Sequence, residues 1–402
     1  MIACVLAGCG APMTPSASPT TSAPSASPVS SPSAALLEPT PSPSTATPSP
    51  ATASCATRTL ASLTEAQRIG QIFVIGLIKD RLDAAERAGV AQYHFGSMTF
   101  TTQTSVGVAA VRALTDAVQA QATQEATGGV RFFVAANQEG GLIQGLSGPG
   151  FDTIPSALVQ GTMAPVVLQA KAARWGAQLR AAGINLNFAP VADVVPPGTD
   201  AENAPIGQLQ REYGNDSATV STHVAAFIAG MREAGIATTA KHFPGLGRVT
   251  GHTDFTANVV DSVTTRTDPY LAPFAKAVKS HVPFVMVSLA TYERIDPAHL
   301  AVFSPTIIGG MLRGDLAFRG VVISDALGAA AVSAIPPGIR AVDFLGAGGD
   351  MIVVNQLTPA IEMAKAVASL AAAKPSFRQR VDSAAIRVLR AKEAAGLLPC
   401  VG

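Results

Sequence analysis

From about residue 56 onward the chain repeats one pattern. A short run of apolar and β-branched residues is followed by an alanine-rich stretch whose apolar positions recur at helical spacing. The strand candidates are residues 71–77, 94–100, 131–136, 185–189, 237–241, 284–288, 321–324 and 351–354. Helical stretches lie at 104–126, 164–182, 217–234 and 271–280, and a last one at 377–397. Strands that alternate with helices read as crossover units, so the expected sheet is parallel. About eight such strands in roughly 340 residues predict an α/β fold, a single (β/α)8 barrel of the TIM type. A doubly wound open sheet is the alternative. The last helix is expected to pack outside the barrel and to return Cys400 toward Cys55.

The first part of the chain has no such pattern. Residues 10–55 are almost entirely Pro, Ser, Thr and Ala, which cannot bury a core, and they read as a disordered tether. The barrel domain is therefore assigned to residues 56–402. Ahead of the tether, Leu6-Ala7-Gly8-Cys9 resembles the bacterial lipobox, in which a cysteine behind small residues is lipidated. Residues 1–9 are read as a signal-like segment with lipidation at Cys9. The expected location is extracytoplasmic, held to the cell membrane by the lipid alone. No other stretch is long and apolar enough to span a membrane. Export would place Cys55 and Cys400 in an oxidising compartment, where they would bridge; the alternative is two free thiols. Such a bridge is worth roughly 4–5 kcal/mol in the chain-entropy picture.

Composition adds a large core and removes some partners. Hydrophobic residues make up 48% and charged residues 14%, and the formal net charge is +1. With no basic tract, no nucleic-acid partner is expected. Chemistry in such barrels gathers at the C-terminal ends of the strands. There the sequence offers Asn137 after the third candidate strand, Asp193 after the fourth and Lys241-His242 after the fifth. Asp325 follows the seventh strand and Asn355-Gln356 the eighth. Asp325 can act as a nucleophile on a sugar's anomeric carbon, or simply cap the next helix. Lys241 and His242 offer donors to sugar hydroxyls or an amide carbonyl, and Lys241 alternatively a Schiff base. His252-Thr253-Asp254 on a glycine-containing loop offers an orienting pair, or plain solvated polar residues. No metal-ligand spacing, no nucleophile elbow and no phosphate loop occurs, so neither a metal nor a cofactor is expected.

Five blocks carry a more specific signal. They are Asn137-Gln138-Glu139-Gly140-Gly141, Asn187-Phe188-Ala189-Pro190-Val191-Ala192-Asp193, Arg211-Glu212-Tyr213-Gly214, Lys241-His242-Phe243-Pro244-Gly245 and Gly320 through Leu327. In this order they resemble the blocks of family 3 glycoside hydrolases, and among these the NagZ-type β-N-acetylglucosaminidases. The tether and terminal cysteines look most like the actinobacterial lipoprotein branch. The resemblance implies retaining hydrolysis of terminal β-linked N-acetylglucosamine, with Asp325 as nucleophile. Asn137, Asp193, Arg211, Lys241 and His242 would hold the sugar. It implies peptidoglycan-derived saccharides as substrates; a monomer is expected as the working unit. The family's acid/base histidine follows its aspartate; here the order is reversed, with Asp254 at the histidine's position. Either Asp254 or His252 donates the proton, or acid catalysis is impaired. Further departures are Asn137 for an aspartate, Leu142 for an arginine and Leu289 near a usual histidine. A non-catalytic cell-wall sugar-binding lipoprotein and a family 3 enzyme with another sugar are the alternative readings.

Overall fold

Eight apolar runs become parallel strands: β1 (Phe73–Leu77), β2 (Ser97–Phe100), β3 (Phe133–Ala136), β4 (Leu186–Asn187), β5 (Ala237–Phe243), β6 (Phe284–Val287), β7 (Val321–Ala326) and β8 (Met351–Val354). These come from a computed structural model, which describes residues 53–400. The strands close into a barrel in the order β1-β8-β7-β6-β5-β4-β3-β2. Closure is visible at Val74, which lies opposite Ser97 on one side and Val353 on the other. An open sheet would leave β1 with one free edge, so that alternative fails. Nearly every strand residue is buried, because the lumen covers one face and helices the other.

Boundaries differ from the pattern where side chains intervene. The expected helix at 104–126 is two helices, Gly107–Gln119 and Gln124–Thr127. Thr123 divides them: its Oγ1 accepts from the Ala126 amide at 3.1 Å and starts a new helix. Strand β5 runs past its expected end at Lys241 to Phe243. The first helix, Cys55–Ser62, opens one residue inside the expected tether and is capped by the Ser54 side chain.

The two ends of the described chain meet outside the barrel. Leu389 of the final helix, Pro375–Ala394, joins Ala56, Leu63, Val130 and Leu398 in a small apolar cluster. Glu393 Oε1 accepts from the Cys55 amide at 2.9 Å. A disulfide links Cys55 to Cys400, with Cα atoms 5.9 Å apart. The signal-like segment, Cys9 and nearly all of the expected tether lie outside the described residues. Among the described residues no helix is long and apolar enough to cross a membrane.

At the N-terminal ends of the strands the barrel is shut by charge. Asp350, just before β8, is fully buried and accepts from Arg380 and Arg387 at 3.0 Å each, and from Arg313. The Val322 amide donates to the same carboxylate at 3.0 Å. Beside β1 and β2, the fully buried Lys392 donates to Gln71 Oε1 at 2.7 Å and to the Gly96 carbonyl at 2.8 Å.

Candidate active site

A cavity of about 440 Å³ opens at the opposite, C-terminal ends of the strands. Thr99 reaches it from β2, Asn137 from just beyond β3, Lys241 and His242 from β5, Met286 from β6 and Asp325 from β7. Side chains alternate along a regular strand, so two neighbours should not share a face. Lys241 and His242 both line the cavity because the pairing of β5 with β6 shifts register between Ala240 and Phe243.

A buried ion cluster forms the floor. Arg211 clamps Glu139 with two parallel bonds, Nε to Oε2 and Nη2 to Oε1, both 2.8 Å. Lys241 Nζ stands 2.7 Å from Glu139 Oε1 and donates to Asn137 Oδ1 at 2.8 Å. Burial pushes the Glu139 carboxyl up, but the two cations outweigh it and hold it at about 2. Burial opposes the charge on Arg211, yet Glu139 keeps it above its ordinary value. For Lys241 burial prevails and lowers the ammonium, against the pull of Glu139.

His242 is oriented from behind. Its Nδ1–H donates to Asp193 Oδ2 at 2.7 Å, which leaves Nε2 to accept the 3.4 Å contact from Arg211. Asp193 was expected to hold the sugar directly. It is fully buried, and it also accepts from the amides of His242 and Leu246 at 3.1 and 2.9 Å. Buried behind the cavity wall rather than lining it, Asp193 positions His242 and the loop that follows. The other expected residues, Asn137, Arg211, Lys241, His242, His252, Asp254 and Asp325, share the cavity wall.

Asp325 lies next to the end of β7, half-buried, with Oδ1 accepting from the Ala326 amide at 2.8 Å. Across the cavity, the loop after β5 brings in His252 and Asp254. The Asp254 amide donates to His252 Nδ1 at 3.2 Å, so the neutral ring carries its proton on Nε2. The Asp254 carboxylate stands 3.9 Å from the same Nδ1. Burial raises the Asp254 pKa, and the Asp325 charge raises it further. Burial lowers that of His252, against the pull of Asp254. The loop is pinned at both ends. Asn203 Nδ2 donates to the carbonyls of Leu246 and Val249 at 2.7 Å each. The Ala330 and Ala331 amides, just past β7, donate to the carbonyls of Asp254 and Thr253 at 3.2 and 3.1 Å.

Sequence reasoning passed over Glu139, Asn203 and Phe255. The rule that singled out Asp325, a carboxylate just past an apolar strand, applies equally to Glu139. Asn203 and Phe255 sit in loops with no periodic signal, and only their contacts give them a role. Leu289, at the departure after β6, is a fully buried core residue, while Leu142 is exposed.

The N-terminal domain of glycosyl hydrolase family 3 matches residues 64–391. A beta-hexosaminidase of Alkalilimnicola ehrlichii is 33% identical over 294 residues, which span 70% of this chain and 79% of that protein. Among solved structures, the beta-N-acetylhexosaminidase from Beutenbergia cavernae superposes with a TM-score of 0.81 at 46% identity, covering 82% of this chain and 99% of that one. A glycoside hydrolase family 3 beta-N-acetylglucosaminidase from Paenibacillus sp. str. FPU-7 gives 0.74 at 28% identity, covering 83% of this chain and 63% of that one.

Proposed function

This chain belongs to glycosyl hydrolase family 3, and from that premise we propose that it is a retaining β-N-acetylhexosaminidase releasing terminal β-linked N-acetylglucosamine. One observation carries the reading. Asp325 and Asp254 line one cavity over a floor of fixed cations, and desolvation and the Asp325 charge raise the Asp254 pKa above its ordinary value.

In the first step an Asp325 oxygen attacks the anomeric carbon as the glycosidic bond breaks. The leaving oxygen takes the proton of Asp254. In the second step Asp254, now a carboxylate, takes a proton from water. The hydroxide attacks the anomeric carbon and frees Asp325. Arg211, Lys241, His242 and Asn137 hold the sugar's hydroxyls and acetamido group. Their rigidity through Glu139 and Asp193 limits the reorganisation needed in the transition state. His252, neutral and protonated on Nε2, tunes Asp254 without replacing it. The substrates we infer are peptidoglycan-derived saccharides outside the membrane, reached from a lipid anchor at Cys9. The Cys55–Cys400 disulfide supports an oxidising location. Membrane fractionation tests the anchor: Cys9→Ala should leave the protein soluble, and a variant that stays with the membrane removes it.

The deciding assay is hydrolysis of a β-N-acetylglucosaminide with a fluorescent, activated leaving group across pH. Asp325→Ala should lose at least about 10³-fold in kcat with folding intact. Asp254→Ala should retain the first step on this substrate, stall at the second and regain turnover with added azide. In kcat the acidic limb of the wild-type profile, set by the carboxylate that the second step needs, should lie above the ordinary carboxylate range and vanish in Asp254→Ala. A limb that disappears in His252→Ala instead would assign the proton to the histidine. A folded wild type that binds N-acetylglucosamine without cleaving any such substrate would make this a sugar-binding relative.

A further inference from the structure

Phe255 follows Asp254 directly, and it is 80% exposed although it lines the cavity. A lone exposed apolar residue is ordinary on a protein surface. What sets this one apart is where it stands and how it is held. The other phenylalanines are buried, except Phe151, which is half-buried. Phe255 closes a tight turn: its amide donates to the His252 carbonyl at 3.0 Å, and the Thr256 amide donates there at 2.8 Å. The ring folds back to 4.8 Å from the His252 ring, tilted by 48°. Through the Ala330 and Ala331 amides this turn is fixed to the segment after β7, the strand that carries Asp325. An apolar ring thus stands, on an anchored turn, at the mouth of a cavity whose floor is ionic.

We propose that Phe255 is the platform for the leaving group, and that the leaving group it takes is a second pyranose ring, laid on the aromatic face by its C–H side. The proposal rests on the glycosidase reading and adds to it what lies beyond the scissile bond. The leaving oxygen must stand at the group that protonates it, so whatever is attached to that oxygen lies next to Asp254. Phe255 is the next residue along and faces the same space. A β-linked sugar ring has an apolar face of axial C–H groups and a rim of hydroxyls. It can cover an aromatic ring while its hydroxyls stay in water. The cavity, near the lower end of the roughly 300–1,000 Å³ usual for ligand sites, leaves the second ring at the mouth.

The test compares two leaving groups on the full chain: the β-1,4-linked N-acetylglucosamine disaccharide, and trifluoroethyl β-N-acetylglucosaminide, whose leaving group has no ring. Phe255→Ala should lower kcat/KM about tenfold on the disaccharide and change it less than about twofold on the trifluoroethyl compound. Phe255→Trp should restore the disaccharide rate. Equal loss on both substrates would mean that the ring acts through His252, and would overturn the platform. No loss on either would overturn it as well. A wild type active on both probes with such a result leaves the glycosidase reading standing. A wild type that cleaves neither removes both.

Discussion

The two ends of this barrel bury the same kind of chemistry and use it in opposite ways. At the N-terminal end, Asp350 gathers Arg313, Arg380 and Arg387. At the C-terminal end, Glu139 gathers Arg211 and Lys241. Both are carboxylates outnumbered by cations and nearly or wholly sealed from water. The difference lies in the remaining donors. At the bottom they go to backbone carbonyls: Arg313 Nη1 to Phe318 and Gly320 at 3.0 and 2.7 Å, Arg380 Nε to Leu345 at 2.9 Å. At the mouth Arg211 Nη1 also reaches a carbonyl, that of Pro205 at 2.8 Å, but Arg211 and Lys241 both line a cavity. A buried ion pair thus costs desolvation in both places. Only at the mouth does that cost leave fixed, oriented charge facing space for a ligand.

If the bottom cluster is structural and the mouth cluster functional, their variants should separate cleanly. The largest effect is expected at the bottom. Asp350→Ala leaves three arginines around an empty position and should cost about 3–5 kcal/mol of stability in denaturant melts, while the folded fraction keeps wild-type kcat/KM. A loss of activity without a loss of stability would break the comparison from that side.

At the mouth, Glu139→Gln should reverse the pattern. Arg211 and Lys241 lose the carboxylate that fixes them, and kcat/KM should fall about 10²-fold with a smaller loss of stability than Asp350→Ala. The sign of the pH effect follows from its pKa. Glu139 is held at about 2 against an ordinary 4.5. Its stabilisation is therefore fully present above about pH 4.5 and fades as the pH falls toward about 2. Acid unfolding curves of wild type and Glu139→Gln should converge in that window, and parallel curves would remove the ion cluster from the stability account.

The smallest effect belongs to Lys392. Burial holds its ammonium well below the ordinary 10.5. The unfolded chain then binds a proton that the folded one lacks, so stability rises with pH between the lowered value and about 10.5. The slope is at most about 1.4 kcal/mol per pH unit. Lys392→Met should flatten urea midpoints measured across that window. A slope that survives the change would come from another group.

All eight barrel strands were legible in the pattern of apolar runs, because a strand covered on both faces must be apolar along its whole length. The position of Asp325 was legible for a related reason, since a carboxylate next to the end of such a run has only the barrel rim to occupy. Asp193 shows the limit. Its place after a strand looked the same as that of Asp325, yet contacts from β5 and the next loop turned it into a support for His242. The split at Thr123 was missed because one side-chain bond ends a helix whose apolar spacing continues.

The sequence by itself determined the alternation of elements, the barrel they close into and the chemical types available at the strand ends. These follow from local periodicity and from the need to bury apolar faces. The tertiary structure alone decided which charges meet. Glu139, Arg211 and Lys241 are far apart along the chain, and so are Phe255 and Asp325. Their partnerships depend on strand register and loop anchoring. Electrostatic interactions fall off with distance and burial, and neither quantity is written in the order of residues.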